Sequence, residues 1–402
     1  MLIRYKKEGD GKNRIVAKVY GPDEHKIDNK GIDKDALWVV KKLNGNGFEA
    51  YIVGGAVRDL LIKQIPKDFD IATNATPRQI QKLFWNARII GKRFKLVHLF
   101  FRDNIIEVST FRSGSSEFSK LYGSVDQDAK RRDFTLNGLY YEPIKRQLID
   151  FHEALEDISK KTIRSILPLP DSFIEDPVRM IRAIKYSATT NFKLQNSIRR
   201  SIVKYGKELS KVPASRLTEE LLKIFGSSQS ERIIKDLLKY NLLIYILPTI
   251  SLSPNKKQLY ESLAKLDKIT DDKNENKKIK EGGWNFVMIK ALTENLIIFP
   301  VEEMSGDLLF KEIYSQIKSI INPITPPNYY VQQATVELLK ERNIVVPKSC
   351  LSAKKPLDVT LYGQPKQKSK KELESLKRAK KAHRVTPKKR AKTTVQSRYS
   401  PD

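Results

Sequence analysis

Asp68 and Asp70 stand two residues apart in KDFDIAT, a spacing that suits metal chemistry. The run reads as a strand. Strand side chains alternate, so both carboxylates leave one face while Phe69 points to the core. Two ionised carboxylates so close raise each other's pKa unless a cation sits between them. Mg²⁺ resolves that conflict, because it takes hard oxygen ligands and commonly uses one or two carboxylates plus substrate phosphates. An Asp-x-Asp pair alone also suits a solvated strand end or a turn. Just upstream, Gly54 and Gly55 end the apolar run EAYIV and open AVRDLLI, a predicted helix. Without side chains they let phosphate oxygens approach backbone N–H groups where a helix begins. A tight strand-to-helix turn would need the same glycines. Arg58 lies one helical turn further, on the same side. It can reach a triphosphate or pair with Asp59.

A third carboxylate comes from NIIEVSTFR. Ile106 and Val108 face one side of this predicted strand; Ile105, Glu107 and Ser109 face the other. A glutamate on a buried strand face needs a partner or a metal, although an edge-strand charge has the same appearance. If this strand lies beside the aspartate strand, three acids converge. Two Mg²⁺ roughly 4 Å apart could then act on an RNA 3′-hydroxyl and on departing pyrophosphate. Two more clusters fit. In DAKRRDFTLNGLYY, Arg131 and Arg132 can hold phosphates, and Asp133 and Asn137 can anchor a ribose or order the loop. In EDPVRMIRA, Glu175 and Asp176 precede Arg179 and Arg182, which are three apart on one helix face. Guanidinium groups offer planar donor arrays for base edges and phosphates. Each cluster alone would also serve as a structural ion-pair network.

These residues need elements to position them. DKDALWVVKKLNGNG reads as a helix capped by Asp33 and stopped by Asn-Gly. TPRQIQKLF reads as a helix with Thr76 as N-cap and Pro77 at its first position. FKLVHLFF and NIIEVSTFR form a predicted hairpin across Arg102 and Asp103. Beyond about Pro170 the apolar spacing becomes helical, with a polar break at DDKNENKKIKEGG.

The chain has 402 residues, 40% of them hydrophobic, enough for a real core. No apolar run is long enough to span a membrane and no signal peptide is expected, so a cytoplasmic chain is the expectation. One cysteine, Cys350, excludes an intrachain disulfide, and the four histidines show no metal-ligand spacing. The net charge of +28 points to nucleic acid. From Leu351 onward, 16 Lys and Arg face 4 Asp and Glu, as in a disordered basic tail. In it Lys377, Arg378, Lys380, Lys381, Arg384, Lys388, Lys389 and Arg390 are candidate RNA contacts.

Taken in order, VGGAVRDLL, PKDFDIATNATP, IIEVSTFR, RRDFTLNGLYY and EDPVRMIRAIKYS span Tyr51 to Phe192. Together they resemble the class II template-independent RNA nucleotidyltransferases, the family of bacterial poly(A) polymerases and CCA-adding enzymes. The resemblance implies an α+β fold: a polymerase-β-like head with a small mixed sheet, an all-helical neck and body, and the basic tail. The expected boundaries are an extension over 1–32, the catalytic head over 33–170, the neck over 171–227, the body over 228–350 and the tail over 351–402. It implies two Mg²⁺ at Asp68, Asp70 and Glu107, with Asp133 in the second catalytic motif. ATP contacts would come from Gly54, Gly55, Arg58, Arg131, Arg132, Asn137, Asp176, Arg179 and Arg182. RIIGKRFKLVHLFF and YGSVDQDAKRRDF look like the poly(A) branch. They imply addition of AMP from ATP to single-stranded RNA 3′ ends; a monomer is expected. CCA addition to tRNA is the alternative; a non-catalytic RNA-binding protein on the same fold is a third reading. Ala154 stands where the family commonly has glycine, which bears on the local turn.

Overall fold

A computed structural model describes residues 2–7, 13–91, 95–102, 104–113, 122–254, 256–272, 284–301 and 304–355. The fold is α+β. Nine strands form one mixed sheet: β1 (Leu2–Lys7), β2 (Asn13–Tyr20), β3 (Ala50–Val53), β4 (Asp70–Thr73), β5 (Ala87–Ile90), β6 (Leu96–Phe100), β7 (Ile105–Thr110), β8 (Leu139–Glu142) and β9 (Gln147–Asp150). Their spatial order is β1-β2-β9-β8-β3-β4-β7-β6-β5. The sheet is therefore larger than the small one expected. The difference lies at the N-terminus, where β2 pairs with β9 through Val19 and Ile149 and carries β1 with it. Residues 2–7 and 13–20 belong to the sheet rather than standing apart as an extension.

The sheet is covered on both faces, which period-two alternation makes visible. In β3, Ala50 and Ile52 enter one core, while Tyr51 and Val53 enter another on the opposite face. The first core packs under helices α2 (Lys34–Gly45), α3 (Gly55–Leu61) and α4 (Pro77–Leu83), which follow a one-turn helix α1 (Pro22–His25). Each fully buried aliphatic side chain there contributes about 1.5–3 kcal/mol. Asp33 caps α2 by accepting from the N–H groups of Asp35 and Ala36. Thr76 caps α4 in a reciprocal box with Gln79, and Pro77 opens the helix. Both caps stand where the sequence places them.

The opposite core holds Tyr140, Phe111 and Ala129, the last on α5 (Val125–Lys130). After α6 (Ala154–Ser159), two short strands pair in parallel, β10 (Thr162–Ile163) and β11 (Lys193–Leu194). Ala154 is buried at the first turn of α6, and its neighbour Glu153 takes the left-handed conformation at φ 60°. The turn thus tolerates alanine, because the strained position is one residue earlier.

The remainder is helical: α7 (Asp171–Glu175), α8 (Val178–Thr190), α9 (Asn196–Tyr205), α10 (Ala214–Phe225), α11 (Ser230–Lys239), α12 (Pro248–Leu252), α13 (Lys256–Asp271), α14 (Trp284–Thr293), α15 (Gly306–Ile321) and α16 (Asn328–Lys340). These helices share one core, and Phe134 and Leu136 from the sheet region are built into it. Helix α8 packs on α10 and α11. Among the described residues no helix is long and apolar enough to cross a membrane. Lys92, Arg93 and Phe94 of IIGKRF, the polar break at 273–283 and the tail cations from Lys377 to Arg390 lie outside the described residues.

Candidate active site

The glycine turn is built as its residue types require. Gly54 ends β3 with φ 70°, a left-handed conformation that disfavours any side chain. Space is not the constraint: a Cβ there would sit 3.9 Å from Asp70 Oδ2 and 3.7 Å from Arg132 Nη1, ordinary contact distances. Those distances place the turn, Asp70 and Arg132 at one spot. Gly55 starts α3, and a Cβ on it would lie 3.4 Å from Arg58 Nη2.

Asp70 opens β4 opposite Val53, the last residue of β3. On its other side β4 runs parallel to β7, with Asp70 in register with Glu107. Ile106 and Val108 enter the core beneath α2, so Glu107 shares the other face with Asp70. Asp68 precedes the strand, contrary to the expectation that both aspartates alternate along it. The ladder stops where β3 ends. Asp68 nonetheless lines the same cleft, a hollow of about 760 Å³ between the sheet and helices α8 and α10. Asp70 is exposed to solvent and lines the cleft. Desolvation first, then Glu107 and Asp68, push its carboxyl up to about 6; Arg132 and Lys223 oppose this. Glu107 also lies 3.4 Å from His98 Nε2.

Among the described residues no group of three or more His, Cys, Asp or Glu stands ready to hold a metal ion. The acids fit instead a cation that arrives with phosphate oxygens as further ligands. Carboxylate repulsion at Asp70 is the conflict that such a cation relieves.

The cations around these acids are held by a second set of carboxylates. Arg58 is buried; it pairs with Asp59 at 2.7 Å, donates to Asn137 Oδ1 at 3.1 Å and stacks 5.2 Å over the Tyr186 ring. Arg58 thus makes the pair with Asp59, and it also lines the cleft. Asp128, on α5, grips Arg131 at 2.7 Å and Arg132 at 3.1 Å and accepts from the Tyr140 hydroxyl at 2.6 Å. Burial would raise the Asp128 carboxyl, but the two guanidinium groups and the hydroxyl hold it down at about 2. Burial pushes the Tyr140 hydroxyl well above its ordinary value.

Asp133 accepts from Asn137 at 3.2 Å and faces Arg182 at 3.4 Å. Phe134 and Leu136, buried in the helical core, pin the segment that carries both polar residues. Arg182 also lies 3.4 Å from Glu220 on α10, which holds Lys185 at 3.1 Å. Burial lowers the Lys185 pKa against the pull of Glu220.

Gly55, Arg58, Asp68, Asp70 and Arg182 thus line the cleft directly. Gly54, Glu107, Arg132, Asp133 and Asn137 reach it through the contacts above. Arg131, Asp176 and Arg179 do not line it. Arg179, one turn before Arg182, is tied to Ser172 and Glu175; Asp176 pairs with Arg216 at 3.0 Å. Asp128, Lys185, Tyr186 and Glu220 were missed. Asp128 was within reach of sequence reasoning, since Arg131 and Arg132 follow it by three and four residues on a helix. Glu220 was not, because its partners lie far away in sequence.

A family model described as the poly A polymerase head domain matches residues 50–164. A second, described as the probable RNA and SrmB-binding site of polymerase A, matches residues 191–252. The chain is 39% identical over 247 residues to poly(A) polymerase I of Salmonella typhi, covering 57% of this chain and 53% of that protein. It is 34% identical over 210 residues to a CCA-adding enzyme of Lactobacillus delbrueckii subsp. bulgaricus, covering 50% of this chain and 53% of that one. The chain spans about half the length of the curated relatives it matches. A solved tRNA nucleotidyltransferase, complexed with a primer tRNA and an incoming ATP analogue, aligns with TM-score 0.52 and 22% identity. That alignment covers 87% of this chain and 99% of the solved one, and it shows a shared fold.

Proposed function

We propose that this chain, whose residues 50–164 form a poly A polymerase head domain, transfers AMP from ATP to RNA 3′ ends without a template. The RNA 3′-oxygen bonds to the α-phosphorus, the bond to the β-phosphate oxygen breaks, pyrophosphate departs, and the hydroxyl proton passes to solvent. One observation carries this reading: Asp70 and Glu107 stand in register on adjacent parallel strands, with Asp68 in the same cleft. Two magnesium ions, held by Asp68, Asp70 and Glu107 together with phosphate oxygens, would activate the hydroxyl and neutralise the leaving group.

The remaining residues position the nucleotide. The Gly54–Gly55 turn leaves room for phosphates beside Asp70. Arg132 and Arg58 supply positive charge in fixed orientations, because Asp128 and Asp59 hold them. Arg182, oriented by Asp133 and Glu220, faces the cleft from α8. Arg179 and Asp176 lie outside the cleft lining, beside Ser172, Glu175 and Arg216.

Adenylate addition is favoured over CCA addition by the higher identity and longer match to poly(A) polymerase I. The glycine and basic pair of IIGKRF point the same way. Such tails would enter RNA processing and decay. The test supplies each nucleotide singly to a generic RNA and to a tRNA lacking its 3′ end. Long extension with ATP alone is expected; C, C and A additions that then stop would replace this reading with tRNA end repair.

A further inference from the structure

The sheet face that carries Glu107 does not end with it. Residues directly opposite one another on neighbouring strands share a face. His98 on β6 stands opposite Glu107, and Arg88 on β5 stands opposite His98. Arg88, His98, Glu107 and Asp70 therefore form one row across four strands, from the edge of the sheet to the cleft. Arg88 sends its guanidinium over the Phe100 ring, 5.6 Å from the ring centre. His98 turns to the acid: its Nε2 lies 3.4 Å from Glu107 Oε2, a small side-chain rotation away from a hydrogen bond. The Phe100 ring, tilted 60° at 6.2 Å, flanks the imidazole. The other ring nitrogen, Nδ1, is buried and has no hydrogen-bond partner among the described residues. That asymmetry selects a tautomer. A neutral imidazole carries one N–H. On Nδ1 it would be a buried donor without an acceptor, and a bare lone pair would face a carboxylate. On Nε2 it donates to Glu107.

We propose that His98 is a positioning residue: through Nε2 it holds the Glu107 carboxylate in place beside Asp70, and so sets the affinity of the cleft for its divalent metal. The inference rests on the proposed function for the metal itself. Glu107 needs such a hold more than Asp70 does. Its side chain turns about one more bond, so fixing it loses more rotamer freedom. It is also 41% exposed, with solvent free to draw the carboxylate away. His98 fits poorly as a ligand in its own right, because Mg²⁺ takes oxygen. It fits well one step behind a ligand, where partners that orient a metal's carboxylates change metal affinity by about 10–100-fold.

The test compares His98→Leu, which removes both ring nitrogens, with His98→Gln, whose amide N–H still reaches a facing carboxylate. The full 402-residue chain is used. The probe is Mn²⁺, which shares the oxygen preference of Mg²⁺. It is titrated with a non-hydrolysable ATP analogue and no RNA, and free Mn²⁺ is read by electron paramagnetic resonance. His98→Leu should weaken Mn²⁺ binding by about tenfold or more, and His98→Gln should stay within about threefold of the wild type. AMP incorporation should follow. The Mg²⁺ concentration for half-maximal rate should rise by about tenfold in His98→Leu, while kcat at saturating Mg²⁺ returns to within about threefold of the wild type. Unchanged Mn²⁺ binding in His98→Leu overturns the proposal. Equal losses in the Leu and Gln variants also overturn it, since His98 would then only pack. A kcat that excess Mg²⁺ does not restore overturns it too, because His98 would then take part in the reaction. If His98→Leu loses its melting transition, His98→Asn, whose amide is too short to reach, answers the same question. A wild type that binds Mn²⁺ with the analogue but adds no AMP defeats the proposed activity and leaves this comparison standing. A wild type that binds none defeats both.

Discussion

The two sides of α8 are both positive but are wired differently. On the cleft side Arg182 and Lys185 share Glu220, and Arg58 and Arg132 across the cleft are held by Asp59 and Asp128. On the reverse side Arg232 meets a carbonyl and an amide oxygen, and Arg199 an amide oxygen. Paired cations have little net field but fixed positions, which suits reading one nucleotide in one pose. Unpaired cations project a field that salt screens, which suits a strand of variable sequence and shape. One helix thus divides charge fixed for a nucleotide from charge open to a strand.

The largest test of that division is Asp70→Asn. It should lower AMP incorporation by about a thousandfold or more, the scale of losing a charge-stabilising group at a reaction centre. RNA affinity should not change. A parallel loss of RNA affinity would break the division. Next is Asp128→Asn, which leaves Arg132 inside the protein beside a neutral amide. Breaking a buried pair from one side costs about 3 kcal/mol. Thermal melting should show that loss, and the KM for ATP should rise more than the Kd for oligoadenylate.

Glu220→Gln should cost less, about 2 kcal/mol, since burial already lowers the Lys185 pKa and its charge is the easier one to lose. Burial would raise the Glu220 carboxyl, but Lys185 and Arg182 hold it below the usual carboxylate range. Its contribution is therefore present above the ordinary glutamate pKa and fades as pH falls through the lower folded value. The melting difference between wild type and variant should be full near neutral pH and close under acid. A difference constant with pH would mean that Glu220 packs rather than pairs.

Much of the site was legible because its signals are local. The alternation of Ile106, Glu107 and Val108 assigns Glu107 to the face that it occupies, and Asp33 and Thr76 cap the helices that they precede. The Asp68–Asp70 alternation was misread because the length of β4 is decided by its partner β3, which ends at Val53. The N-terminal strands were hidden for a similar reason. Their pairing depends on β9, more than a hundred residues away. Arg179 and Arg182 share a spacing that suggests one role, yet Glu175 and Ser172 claim the first and Asp133 the second. Tertiary partners decide which of two equivalent arginines reaches the cleft.

The smallest effect tests whether the acids at the cleft floor are as poorly neutralised as the cations on the reverse face. Desolvation, with Glu107 and Asp68 nearby, pushes the Asp70 carboxyl up to about 6, against an ordinary 3.8. Between these values the folded state holds a proton that the unfolded state has lost, so stability falls as pH rises through that window. Above it, the folded chain carries a desolvated carboxylate that Glu107 and Asp68 also repel. Asp70→Asn removes that penalty and should melt above the wild type near pH 7.5 when no divalent metal is present. The gain should be about 1 kcal/mol once solvent screening is allowed for, and should vanish near pH 4. Adding Mg²⁺ near pH 7.5 should raise the melting temperature of the wild type and leave the variant unmoved. A variant that melts below the wild type without metal would mean that Arg132 already neutralises Asp70. The acids would then be as tightly paired as the cleft cations, and the unpaired condition would belong to the reverse face alone.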